Sequence, residues 1–163
     1  MKSIIHLLIV LLFLLNGITL NAQVVTWGDG DYGGDSSSVA SELSSGVTTI
    51  YSNNYAFAAL KDDGSVVTWG DSRSGGYTSS SVASELSSGV STIYSSDFAF
   101  AALTDDGSVV TWGDGDYGGN SSSVASELSS GVSIIYSNPS AFAALKDDGS
   151  VVTWGSSTSG GDS

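Results

Sequence analysis

The sequence predicts an all-β fold assembled from tandem repeats, and three observations carry that expectation. The pentapeptide Val-Val-Thr-Trp-Gly occurs four times, so that Trp27, Trp69, Trp112 and Trp154 stand 42, 43 and 42 residues apart. The pentapeptide Ala-Phe-Ala-Ala-Leu occurs three times, at residues 56–60, 99–103 and 141–145. Between each Ala-Phe-Ala-Ala-Leu and the next Val-Val-Thr-Trp-Gly lies the same polar link, ending in Asp-Asp-Gly-Ser. A period near 42 belongs to a propeller or a solenoid rather than to one unrepeated core.

The β-branched and aromatic Val66-Val67-Thr68-Trp69 reads as a strand closed by the glycines that follow. Val47-Thr48-Thr49-Ile50-Tyr51 reads as a second strand between Gly46 and Ser52-Asn53-Asn54. Tyr55 to Leu60 is the third. Alanine is a weak strand former, but Phe57 and Leu60 anchor the segment and small residues between large ones let neighbouring sheets approach. Lys61-Asp62-Asp63-Gly64 supplies the hairpin turn, because glycine accepts positive φ and aspartate bonds its own backbone. The Ser-rich segment holding Val39, Ala40 and Leu43 fits a loop or a single helical turn; it is read as a loop that docks Val39 and Leu43.

Lys2, the apolar run over residues 4–15 and the small residue Ala22 together match a cleaved secretory signal over residues 1–22. The run is shorter than the roughly 20 apolar residues of a membrane span. Residues 23–163 then divide into three units, 24–65, 66–108 and 109–150, and a truncated fourth at 151–163. This reading places the protein outside the cytoplasm: secreted, periplasmic or on the cell surface, with no membrane association once the signal is removed. Cysteine is absent from the chain, so stability rests on burial between repeats rather than on disulfides.

Outside residues 1–22 three cations, Lys61, Arg73 and Lys146, face 17 acidic side chains. That balance excludes nucleic acid as a partner, since phosphate neutralisation needs clustered Lys and Arg. The same region has no His and no Cys. Ser-His-acid and Cys-His catalysis and the usual zinc sites are thereby excluded. The pairs Asp62-Asp63, Asp105-Asp106 and Asp147-Asp148 recur once per unit in a turn, which suits structure better than a catalytic dyad. A carboxylate-dependent hydrolase is the remote alternative to a non-enzymatic reading.

Alternating Asp and Gly at Asp29, Asp31 and Asp35 resembles the start of a calcium loop, because hard cations take several oxygens from a tightly turning backbone. Ala40 stands where an EF-hand would need Glu, and a glycine-rich turn after a strand explains the same residues. Calcium is the one cofactor considered; otherwise none is expected. The four tryptophans read as core packing rather than as a sugar-stacking row. Aromatic loop positions on a repeated scaffold are where specificity is placed. Tyr32, Asn54, Tyr55, Asp97, Phe98 and Tyr117 are the candidate binding-loop residues, with Tyr77 also in a loop.

The motif Ala-Leu-Lys-Asp-Asp-Gly-Ser-Val-Val-Thr-Trp-Gly, with Gly-Val-x-x-Ile further on, resembles the repeat of the regulator of chromosome condensation family in its short bacterial form. The resemblance implies a β-propeller with one small antiparallel sheet per repeat. Where the family often has Gly-Gln after the Trp-Gly turn, this chain has Gly33-Gly34, Gly75-Gly76, Gly118-Gly119 and Gly160-Gly161. Where the family has Gly then His before the third strand, it has residues such as Asn53, Asn54 and Tyr55. The family's ring has seven blades; this chain provides about three, a partial β-propeller. Residues 24–27 lack a hairpin partner, and the last blade has an open face. Three resolutions follow: an open arc, a fragment of a longer array, or a six-blade ring closed by two copies, with the first two preferred. Open sheet edges favour self-association.

Members of the resembled family bind proteins by the faces of the propeller, a secreted β-lactamase inhibitor among them. No residue here matches the family's nucleotide-exchange activity on a small nuclear GTPase. The expected function is a secreted, non-enzymatic scaffold that binds a protein or glycan through its loops. The alternatives are an extracellular spacer or adhesin segment, or a fragment of a longer propeller.

Overall fold

The computed structural model describes residues 24–162; the expected signal at residues 1–22 lies outside the described residues. Among the described residues nine strands run β1 (Val47–Ser52), β2 (Ala56–Lys61), β3 (Val66–Gly70), β4 (Val90–Ser95), β5 (Ala99–Thr104), β6 (Val109–Gly113), β7 (Val132–Ser137), β8 (Ala141–Lys146) and β9 (Val151–Gly155). They form three antiparallel sheets in the orders β1-β2-β3, β4-β5-β6 and β7-β8-β9. These are three blades of a partial β-propeller. The first strands of successive blades lie side by side, where Ser95 Oγ donates to the Ser52 carbonyl at 2.9 Å. The Val-Val-Thr-Trp-Gly strands are therefore outermost. Each blade takes its third strand from the repeat after the one that supplies its first two.

Within a blade the register sets the packing. Phe57 pairs with Trp69, Phe100 with Trp112 and Phe142 with Trp154. The rings stack at 5.3 Å in all three blades. Side chains alternate across a strand, so each sheet has a leading face bearing Phe and Trp and a trailing face bearing Ala, Ala, Leu and Tyr. The trailing face of blade one (Ala56, Ala58, Leu60) packs on the leading face of blade two (Ile93, Phe100, Trp112). The trailing face of blade two packs on blade three in the same way. Ala99 to Leu103 are consequently buried at every position. That two-sided burial makes a strand of weak strand formers, because only small side chains allow sheets to close on both faces.

The hairpin turns behave as their composition predicts. Gly64, at φ 76°, donates to the Lys61 carbonyl, and Asp63 accepts from the Ser65 amide and hydroxyl. Each turn also docks the next blade, as the Val90 amide donates to the Gly64 carbonyl at 3.0 Å. The Ser65 hydroxyl, followed by the Ser65 amide, holds the Asp63 carboxyl below its ordinary value; Thr104 and then Ser108 do so for Asp106, and Ser150 for Asp148.

The Ser-rich connectors bury Leu43, Leu86 and Leu128, and Val39 is half-buried. In the first and third repeats they are loops with short 3-10 turns, at Ser37–Val39 and Ser122–Val124. The second departs from the expected loop by forming helix α1 (Ser80–Glu85). Asp35 and Asn120 accept from the Ser37 and Ser122 amides and fix a tight turn. The second repeat has Tyr77-Thr78 there, one residue longer, and Ser79 becomes the N-cap by accepting from the Val82 amide. A cap of this kind contributes about 1 kcal/mol, enough to choose between a turn and a short helix.

The two ends of the array differ from its middle. Ile50 is 45% exposed, whereas its counterparts Ile93 and Ile135 are 2% and 1% exposed. Trp27 is 85% exposed, whereas the other three tryptophans are buried. Residues 24–28 form no strand, as their missing hairpin partner leads one to expect. Val24 nevertheless packs beside Trp69 on the leading face of blade one, as Val66 packs beside Trp112.

Candidate functional site

The loops after the first strands, residues 53–55, 96–98 and 138–140, meet at one end of the blades. Their backbones are joined: the Asn54 amide donates to the Asp97 carbonyl at 3.3 Å, and the Asp97 amide to the Pro139 carbonyl at 2.9 Å. The turns that follow the Trp-Gly steps reach the same end, where the Asp71 amide donates to the Tyr55 carbonyl and the Asp114 amide to the Phe98 carbonyl.

This convergence builds a continuous row of aromatic rings. Tyr32 lies 4.9 Å from Tyr55, Tyr55 lies 5.2 Å from Phe98, and Phe98 lies 4.4 Å from Tyr117, between ring centroids. Tyr55 and Phe98 stack; the two outer contacts are tilted. Tyr32 is exposed, and the other three rings are half-buried. The row ends at the third loop, where Ser140 replaces the aromatic residue. All four aromatic candidates from the sequence therefore share one surface. Asn54 and Asp97 sit between them, Asn54 exposed and Asp97 half-buried. Tyr77 is exposed and makes no ring contact with this row.

Asn53 is the residue that sequence reasoning passed over. Its Oδ1 accepts from the Tyr55 and Ala56 amides, and its Nδ2 donates to the Ser74 carbonyl at 2.7 Å. Asn138 makes the same set with Ser140, Ala141 and Ser159. Ser96 fills the position in blade two, bonding the Ala99 amide and the Tyr117 carbonyl. This clamp ties each loop to the turn beside it. Its signal was visible as Asn, Ser and Asn at equivalent places in the three repeats. Asn53→Ala is expected to lower stability by about 1–2 kcal/mol in urea titration, and Asn53→Ser to recover most of it, because serine already does this work in blade two.

Of the calcium candidates, Asp29 and Asp31 share one turn and Asp35 caps the next. Asp29 Oδ1 accepts from the Asp31 amide at 3.0 Å, capping a 3-10 turn at Gly30–Tyr32. Asp35 Oδ1 accepts from the Ser37 amide at 2.8 Å, and that bond holds its carboxyl below the ordinary value. Among the described residues no three His, Cys, Asp or Glu side chains gather as a metal-binding group. Asp114 and Asn120 repeat the two caps in the third repeat.

Residues 90–118, from β4 to the turn after β6, match the family profile described as the Regulator of chromosome condensation (RCC1) repeat. Similar solved structures include yeast (Saccharomyces cerevisiae) Prp20p, with 17% identity and a TM-score of 0.46, covering 67% of this chain and 30% of that one. Human WBSCR16 has 23% identity and a TM-score of 0.43, covering 67% of this chain and 34% of that one. The computationally designed protein Ika4 has 17% identity and a TM-score of 0.39, covering 68% and 66% respectively. The chain thus spans about a third of the length of the two natural propellers. No curated protein matches the sequence.

Proposed function

We propose, starting from a chain of regulator of chromosome condensation type repeats, that this protein is a secreted, non-enzymatic binding scaffold. The Tyr32–Tyr55–Phe98–Tyr117 row is its contact surface and a protein its ligand. The row itself carries the reading: four aromatic side chains from separate loops and turns come together on one surface. Tyrosine and other aromatics give large contact area at low entropic cost and dominate protein interfaces. A sugar platform needs ring faces open to solvent. Here Tyr55 and Phe98 stack on each other, with Tyr32 and Tyr117 tilted against their outer sides, so ring faces are covered, which favours a polypeptide over a glycan.

The surroundings narrow the partner's chemistry. Asp31, Asp97 and Asp116 lie in the segments that bear the row, and the chain has a net charge of −13. A partner with Lys or Arg beside apolar side chains complements both features, and an acidic one is repelled. A random peptide library displayed on phage and panned on the protein is expected to enrich such basic, apolar peptides. Their affinity should fall at least about tenfold on Tyr32→Ala with Phe98→Ala. Enrichment indifferent to both substitutions would sink the assignment of the row. Binding to neutral oligosaccharides on a glycan array, lost in the same variant, would replace the protein with a glycan.

A further inference from the structure

We infer that the leading face of blade one docks the trailing face of blade three of a second copy of this chain. The two internal interfaces supply the pattern. In the first, Tyr51, Ala56, Ala58, Leu60 and Val66 meet Ile93, Phe100, Ala102, Val110 and Trp112. The second uses the equivalent residues of blades two and three. The two faces left over are the same pair, residue for residue. Blade three carries Tyr136, Ala141, Ala143, Leu145 and Val151 at these positions, and blade one carries Ile50, Phe57, Ala59, Val67 and Trp69. Within one copy Ile50 is exposed, Phe57 and Val67 are half-buried, and Ala59, Trp69 and Ala141 are already buried. Tyr136 and Val151 are 58% and 57% exposed. Their counterparts Tyr51, Tyr94, Val66 and Val109 are half-buried against a following blade. A surface that twice among the described residues finds one complementary surface has a third copy of that complement on blade one, over which no described blade lies.

Steric evidence agrees independently. A Cβ built on Gly64 would lie 2.6 Å from the Gly89 nitrogen, and one on Gly107 would lie 2.9 Å from the Gly131 nitrogen, both atoms of the following blade's approach segment. A Cβ on Gly33, Gly75 or Gly118 would press on Phe57, Phe100 or Phe142 of the adjoining blade. The last members of the two series, Gly149 and Gly160, meet nothing within 4 Å. Blade three thus has open room for a following blade at both places.

Blade one is ready to receive it. An apolar groove of ≈ 240 Å³ runs between residues 24–27 and the leading face, lined by Val24, Trp27, Ile50, Phe57 and Trp69 among others. In the internal interfaces that space is filled by the first two strands of the preceding blade. Residues 24–28 hold the place of that blade's third strand and have the same sequence, Val-Val-Thr-Trp-Gly, as β9. One position therefore has two identical claimants, residues 24–28 of one copy and β9 of the other, and exchanging them replaces like with like. The union of two copies makes six blades, within the 4–8 that close a propeller. If the second junction stays open, the same contact yields a head-to-tail chain.

Light scattering on the full chain at about 100 µM is expected to give twice the monomer mass or higher multiples. Tyr136→Glu and Ile50→Glu should each reduce it to the monomer. Mixing the two variants should restore a dimer, because each brings the face the other lacks. Thermal unfolding of Tyr136→Glu in dilute solution should match the parent, since its side chain is exposed within one copy. A parent chain that stays monomeric, association that survives both substitutions, or a mixture that fails to associate would each overturn the inference.

Discussion

Phe100→Ala is expected to destabilise the protein by about 3–5 kcal/mol, read as a lowered midpoint in urea or thermal unfolding. Phe100 is fully buried, stacks on Trp112 and faces Ala56, Ala58 and Leu60 across the first interface. Truncation leaves a cavity between two sheets whose backbones are fixed by their own hydrogen bonds, so collapse is limited. Domains are stable by about 5–15 kcal/mol, and a loss of this size unfolds a large fraction of molecules at modest temperature. Phe57→Ala provides the internal comparison. Phe57 has the same strand position and the same Trp partner, but no preceding blade lies over it and it is only half-buried. Its truncation should cost roughly half as much. Equal costs for the two would mean that the blade interface contributes little beyond the blade itself.

Gly76→Ala is expected to cost about 3 kcal/mol, because its Cβ would stand 2.2 Å from the Gly70 carbonyl oxygen and 2.3 Å from the Gly70 carbonyl carbon. Both are backbone atoms of the strand end, so no side chain can move aside. Gly149→Ala is the control. It carries the penalty of φ 84° but meets no atom within 4 Å, so about 1–2 kcal/mol is expected in dilute solution. The same close approach recurs at Gly34, Gly119 and Gly161. It explains why the second residue of each Gly-Gly step is glycine where the resembled family often carries glutamine: the chain here doubles back onto its own Trp-Gly step.

Much of the blade was legible in the sequence, because its determinants are local and repeated. Phe opposite Trp, Ala between large residues and Asp-Asp-Gly at the turn fix strands, register and hairpin within some fifteen residues. The connectors were less legible. Replacing Asp35 by Tyr77-Thr78 changes which side chain caps the segment, and a single hydrogen bond then decides between a 3-10 turn and α1. The aromatic candidates were visible as loop residues, but not as a row. Tyr32 and Tyr55 belong to different turns of one repeat and meet at 4.9 Å only once that repeat is folded, whereas Phe98 and Tyr117 come from successive repeats and meet at 4.4 Å because of the offset between repeat and blade. Asn53 was missed because a polar residue in a loop has many uses, and its role depends on the Ser74 carbonyl 21 positions away.

The extra residue in the second connector has a consequence for how such an array changes over time. The insertion alters a segment beside the outer strand of its blade, yet β4, β5 and β6 keep the lengths and pairings of β1, β2 and β3. Each blade meets only its neighbours, and the second connector enters its junction through Leu86, which packs there and accepts from the Val66 amide as Leu128 packs and accepts from the Val109 amide in the next junction, insertion notwithstanding. Length drift is thus absorbed at the rim while the junctions stay interchangeable. A genetic exchange that duplicates or deletes one repeat joins faces already fitted to each other. Blade number can rise or fall in whole steps without any new packing problem to solve, and near-identical repeats are the state in which such steps are easiest.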